Sequence, residues 1–152
     1  MQIIAENRKA RYDYEFLDEI EAGVVLTGQE VKSAKRGGLR LRGAYAIARE
    51  GALWLVGAHI VPWKTAGALS GYDPERTRKL LVHKKEVQKI LGRQSGEKLT
   101  LVPKNAYTRA GRIKIAVVIA RSKRAFEKRE AIRRRESERE TSRELKRRGS
   151  VR

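Results

Sequence analysis

Residues 98–120 read KLTLVPKNAYTRAGRIKIAVVIA, and their pattern decides the fold. Within residues 112–120, Ile113, Ile115, Val117 and Ile119 recur at every second position, so they share one face of a strand. Ala110-Gly111 is a turn signal, and residues 98–103 and 112–120 are therefore expected to pair around it. Working outward, residues 44–49 and 52–61 flank Glu50-Gly51 and give a second hairpin. Residues 23–27 (GVVLT) read as another strand. Tyr12, Tyr14 and Phe16 alternate with Asp13 and Glu15, the mark of a half-buried strand. Two helices are expected. One opens at Asp73-Pro74-Glu75, where Asp can cap, Pro suits the first position and Glu complements the positive helix start. It continues through Leu80, Val87, Ile90 and Leu91 and stops at Gly92. The shorter one covers residues 29–36 and ends at Gly37-Gly38. Six or so short strands with few helices predict a mainly β chain, a small antiparallel barrel whose closure removes exposed edges.

The chain has 152 residues, enough for one domain and an appendage. Its 36 Lys and Arg against 18 Asp and Glu leave a formal charge of +18, which points to a polyanionic partner. The charge is uneven. Residues 121–152 hold fourteen Lys/Arg and six Glu, a net of +8, and the first 120 carry the other +10. The apolar residues of that tail are Ala125, Phe126, Ala131, Ile132, Leu145 and Val151, too few and too scattered for a core. The expected organisation is a folded body, residues 1–120, and a basic C-terminal tail, residues 121–152. Good helix formers fill the tail, and Glu130–Arg134, Arg135–Glu138, Glu136–Arg139, Glu140–Arg143 and Glu144–Arg148 fall at helical spacing. Each such pair contributes only ~0.2–0.5 kcal/mol, so the tail is expected to be disordered when free and helical once a partner holds it.

Several classes find no support. No apolar run approaches the ~18–20 residues of a membrane span. The first residues lack the basic and apolar regions of a secretory signal. With no cysteine there is no disulfide scaffold and no thiolate chemistry. His59 and His83 have no metal-ligand spacing, and of the three aspartates Asp13 sits in strand alternation, Asp18 in an acidic run and Asp73 at a cap. No phosphate-cradling loop or nucleophile motif occurs, and Arg36-Gly37-Gly38-Leu39 is too short to be one. Binding is better supported. Asn7-Arg8-Lys9-Ala10-Arg11 sets cations and an amide before Tyr12, Tyr14 and Phe16, a combination suited to phosphates, base edges and stacking. Its plain alternative is a basic arm before core tyrosines. Arg76, Arg78, Lys79, His83, Lys84 and Lys85 crowd a second region, alternatively a solvated helix face. Arg121, Lys123 and Arg124 extend the basic surface. A soluble, cytoplasmic protein that binds folded RNA is the expectation.

The strings ENRKARYDYEF, EAGVVLTGQEVKSAKRGG, HIVPW, DPERTRKLLVHKKEV, LTLVPKNAY and ARSKRAFEKRE, in this order, closely resemble the SmpB (small protein B) family. The resemblance runs from Ile4 to about Arg148. It implies a barrel related to the OB-fold with peripheral short helices, no catalytic activity, no cofactor and no metal. It implies binding to the transfer-RNA-like domain of transfer-messenger RNA and delivery of that RNA to stalled ribosomes for trans-translation. Elongation factor Tu and alanyl-tRNA synthetase are implied as indirect partners through the RNA, and the protein as a monomer. The implied RNA-binding residues are Asn7, Arg8, Lys9, Tyr14, Glu21, Leu81 and His83, with Lys32 and Tyr45 as weaker candidates and Arg121, Lys123 and Arg124 at the start of the tail. A carboxylate on such a face is repelled by phosphate, which makes Glu21 a reader of base amino or imino groups. The implied ribosome-binding tail comprises Phe126, Glu127, Lys128, Arg129, Ile132 and Arg133, probing the empty messenger channel and decoding centre. The chain departs from the family pattern at Gly71-Tyr72, Ser122 and Phe126-Glu127. A tailed ribosomal protein and a metal-dependent nuclease are the competing classes.

Overall fold

A computed structural model of the chain describes residues 1–63, 71–94, 96, 98–123 and 125–150, without the side chains of 125–128, 131 and 147–150. The chain divides into two units, Met1–Ser122 and Lys123–Arg152. In the first, β1 (Gln2–Glu6), α1 (Arg8–Asp13), β2 (Tyr14–Val24), α2 (Gly28–Ser33) and a π-type turn (Ala34–Gly38) precede a run of short strands. These are β3 (Leu39–Arg40), β4 (Tyr45–Arg49), β5 (Ala52–Val56), β6 (His59–Ile60) and β7 (Arg78–Leu81). Then come α3 (Lys84–Gln94), β8 (Thr100–Arg109) and β9 (Arg112–Ser122), which runs two residues past Ala120. The second unit carries one helix, α4 (Ala125–Ser150), in which Glu130 and Arg134 pair at 3.9 Å.

The expected antiparallel β architecture is found. Seven strands pair in the order β1-β8-β4-β5-β7-β2-β9, and β8 also pairs with β9, so the pairings lead from β8 round to β8 again. The OB-like arrangement is thus a curled antiparallel sheet, with β3 and β6 as a separate pair. Both expected hairpins form. Glu50 and Gly51, and likewise Ala110 and Gly111, have positive φ at both central positions, the twist that suits tight hairpins. Ile113, Ile115, Val117 and Ile119 line the main core with Ala22, Leu53, Leu55, Leu80 and Leu101, and α3 adds Val87 and Ile90. A second cluster, Ala10, Val102, Val118 and Ala120, lies under Tyr14 and Phe16.

Four local expectations change. Tyr12 is in α1, not a strand, because the Asn7 side chain accepts from Ala10 N at 3.3 Å and caps a helix there. Residues 23–27 are no separate strand: β2 continues to Val24, held by β9 from Tyr14 to Gly23 across one irregularity between Phe16 and Asp18, and by β7 at Gly23 and Val24. The strand expected over 52–61 stops at Val56, and Gly57, at φ 80°, turns the chain before β6. The long helix from Asp73 to Gly92 does not exist. The Asp73 carboxylate accepts from Glu75 N at 2.9 Å, but the turn it caps leads into β7, which pairs with β5 and β2, and helix begins only at Lys84. Sheet pairing supplies those backbone groups with partners and overrides a good helix start.

The choice of strand at β7 also fixes a buried ion network. Arg78 is 0% and Glu30 1% exposed. Arg78 Nε donates to Glu30 Oε2 at 2.8 Å, while its Nη atoms donate to the carbonyls of Ala58 (2.7 Å) and Pro74 (2.9 Å). Arg76 also grips the carboxylate, and the Tyr72 hydroxyl donates to Ile60 O at 2.9 Å. Glu30 closes a capping box with Thr27 as well. Burial pushes the Glu30 carboxyl up, but the hydrogen bonds of Arg76, the Thr27 amide and Arg78 outweigh it and hold it at about 2.

Candidate nucleic-acid interface

Register determines what the outer sheet face presents. Opposed residues of antiparallel strands point the same way. Ala46–Leu55 and Ala48–Leu53 are opposed, and Leu53 in turn faces Leu80; these point inward. The intervening residues Tyr45, Ile47, Trp54 and Lys79 consequently point outward, with Ile47 opposite Trp54 and Trp54 opposite Lys79. Leu81 follows on β7 and is 55% exposed. It lies opposite Gly23 of β2, where a Cβ would come 3.3 Å from the Leu81 Cβ, so glycine lets this large side chain lie across the strand. Two residues back on β2, Glu21 shares that face.

Glu21 is held. Tyr107 Oη and Arg109 Nη1 (2.9 Å) both donate to its Oε2, reaching diagonally from β8 across β9, where Tyr107 is opposite Lys114 and Glu21 opposite Ala116. The Tyr107 hydrogen bond, with the Arg109 and Lys114 charges, keeps the carboxyl below its ordinary range against the opposing effect of desolvation. Desolvation and the Glu21 hydrogen bond push the Tyr107 hydroxyl up to about 12. The result is a fixed anionic acceptor, with Glu19, two residues back on the same face of β2, paired to Lys104 at 3.1 Å.

A second group forms where β4 meets β8. Lys9, Tyr14, Gly43, Tyr45 and Thr100, with Asn7, line an open cleft of about 410 Å³. Tyr45 belongs to both the cleft and the sheet face. Asn7 does not offer its amide to a ligand as expected. It is 4% exposed, its Nδ2 donates to Pro103 O at 2.9 Å and its Oδ1 caps α1, so it sets the helix that carries Arg8 and Lys9. Both of these cations are exposed, and Arg8 is 3.5 Å from Glu6. Arg78, counted among the second basic cluster, is consumed by the buried network. His83 is exposed, and its carbonyl accepts the Glu86 and Val87 amides that open α3. Lys32 is exposed on α2, outside both groups. Arg121 pairs with Glu15 at 3.0 Å across β2 and β9. Lys123 is half-buried, Arg124 lies outside the described residues, and so do the side chains of Phe126, Glu127 and Lys128. Arg129, Ile132 and Arg133 are exposed on α4. Among the described residues no cluster of His, Asp or Glu is placed to hold a metal ion, and no helix is long and apolar enough to cross a membrane.

Reading the sequence alone missed Trp54, Ile47, Tyr107 and Arg109. The signal for Trp54 was present: in Ala52–Val56 (ALWLV), the two leucines that flank it share one face and leave it on the other.

An OB-like antiparallel body with a basic, aromatic outer face defines a protein of the nucleic-acid-binding class. A family model described as "SmpB protein" matches residues 4–147. The chain belongs to the SmpB family. It is 44% identical over 146 residues to an SsrA-binding protein of Chloroflexus aggregans, covering 96% of this chain and 92% of that one. Against the SsrA-binding protein of Trichormus variabilis the identity is 41% over 145 residues, 95% of this chain and 94% of the other. A solved structure described as "tmRNA-SmpB: a journey to the center of the bacterial ribosome" superposes with a TM-score of 0.66 at 41% identity, covering 85% of this chain and 94% of that one.

Proposed function

We propose that the chain binds the transfer-RNA-like domain of transfer-messenger RNA and brings it to stalled ribosomes for trans-translation, without catalysis and without a cofactor. The observation that carries this reading is the gathering of Tyr45, Leu81 and Glu21, three residues far apart in sequence, on one exposed sheet face. SsrA-binding relatives at 41–44% identity over nearly the whole chain support it. The body grips the RNA as a monomer: Lys9, with Arg8, supplies phosphate contacts, Tyr14 and Tyr45 stacking surfaces, and Glu21 an acceptor for base donors. Lys32, His83 and Arg121 add charge to the body, and Lys123 and Arg124 add charge at the start of the tail. Elongation factor Tu and alanyl-tRNA synthetase act through the RNA, in the cytoplasm.

The tail, from residue 121 on, has a separate role in this reading. In the empty messenger channel ribosomal phosphates neutralise its arginines and hold α4 in place. Phe126 stacks at the decoding centre, Lys128, Arg129 and Arg133 bind flanking phosphates, and Ile132 packs on the channel wall. Two experiments test the proposal. Sequencing the RNA that co-purifies from native cells is expected to return transfer-messenger RNA; ribosomal RNA in fixed stoichiometry would instead make the chain a ribosomal protein. Replacing residues 127–129 by alanine is expected to abolish tagging of stalled chains while hardly changing affinity for transfer-messenger RNA. Full tagging by that variant would reduce the tail to a solvated extension.

A further inference from the structure

The outer face between Tyr45 and Leu81 has no occupant among the described residues, yet it is neither plain core nor plain solvent surface. Ile47 is 36% and Tyr45 43% exposed, and both flank Trp54 on the same side of the sheet. The indole is fixed in place: its Nε1 donates to Arg49 O at 3.3 Å, so one edge is satisfied within the protein and the ring keeps one orientation. Opposite it on β7 stands the exposed Lys79, and Arg49 is exposed at the end of β4. The three strands, YAIAR, ALWLV and RKLL, contain no carboxylate at all. A flat, oriented aromatic ring between two cations, with the Glu50 carboxylate in the turn after Arg49 rather than on the strands themselves, complements a nucleotide, whose base stacks while its phosphates meet the charges. Going further than the RNA-binding reading and resting on it, we propose that Trp54 is the stacking platform for an unpaired nucleotide of the transfer-RNA-like domain, with Ile47 walling the ring and Lys79 and Arg49 holding the flanking phosphates. Tyr45, Trp54 and Leu81 then form one continuous track across β4, β5 and β7 that leads to Glu21.

The test uses the full chain and a transcribed transfer-RNA-like domain. Trp54→Ala is expected to weaken binding roughly ten-fold with an unchanged salt slope, Trp54→Phe to retain most of the affinity, and Lys79→Ala to lower the slope by about one. Fluorescence gives a readout that a packing role would not move. The chain has two tryptophans, and Trp63 already has the Arg36 guanidinium 5.9 Å from its ring centroid. RNA is expected to quench the wild-type emission, and Trp54→Phe to lose that quenching while still binding. Quenching that persists in Trp54→Phe assigns the contact to Trp63 and overturns the proposal. So does unchanged affinity in Trp54→Ala, or a wild-type dimer that Trp54→Ala converts to monomer, which would make the face a self-interface. Failure of the wild-type chain to bind the RNA would sink the broader reading instead.

Discussion

Glu21 and Glu30 are nine residues apart and have the same kinds of neighbour: each carboxylate meets an arginine and a tyrosine brought from distant strands or loops. Their settings differ in one respect, burial. Around Glu30 the protein encloses the carboxylate itself, and Arg78, Arg76 and the Thr27 amide satisfy it. Glu21 is clamped from one side only, through Oε2, and its side chain is 37% exposed. The same chemistry therefore does two jobs. Enclosed, it ties α2 to β7 and the turn before it. Open on one side, it displays a rigid acceptor to whatever lies on the sheet face. A carboxylate with a bound arginine also repels phosphate less, which makes an acidic residue tolerable on an RNA-facing surface.

The contrast can be broken most directly at Glu30. Glu30→Ala leaves Arg78 buried without its partner and is expected to cost about 3–5 kcal/mol in denaturant unfolding, with RNA binding lost only as the body unfolds. A double Glu30→Leu, Arg78→Met variant is expected to recover part of that loss, because the uncompensated charge is gone. Next in size is the acid limb. Glu30 lies at about 2 in the folded state, against ~4.3 when unfolded. Its contribution is fully present above pH ~4.3 and fades as pH falls toward 2, up to about 3 kcal/mol in all. Unfolding curves across that window are expected to show a shallower acid loss in Glu30→Gln; equal slopes would mean the network is dispensable.

Glu21→Ala is expected to do the opposite, leaving the unfolding midpoint nearly unchanged and weakening RNA binding about ten-fold with the salt slope intact. Arg8→Ala and Lys9→Ala should each lower that slope by about one, since they lose phosphate contacts. A slope change of the same size in Glu21→Ala would remove it from base reading. The smallest effect belongs to Tyr107→Phe, which frees Glu21 to rotate while Arg109 still holds its charge. A few-fold loss of affinity without loss of stability is the expected outcome.

How far the sequence could be read follows the range of the interactions involved. The hairpins at Glu50-Gly51 and Ala110-Gly111 were legible because turn chemistry and alternation are local, and the basic tail because composition alone separates it. Gly37-Gly38 ending a helical stretch was equally local. The reading failed where a distant strand outbid a local signal. Asp73-Pro74-Glu75 is a sound helix start, but β5 and β2 take residues 78–81 into the sheet. Asn7 carries the right atoms to read a base, yet Pro103, 96 positions away, takes its amide.

The candidate site shows the same division. Amino-acid sequence by itself determined that the chain is basic, mainly β, equipped with a charged tail and similar to a known RNA-binding family, because charge, periodicity and residue strings are properties of the chain alone. Only the tertiary structure decided that Glu21 is clamped by Tyr107 and Arg109, that Glu30 is buried under two arginines, and that Trp54 faces outward between Tyr45 and Leu81. Those facts depend on strand register, and register is set by which strands pair around the whole sheet, where a slip of one residue would turn every one of these side chains to the opposite face.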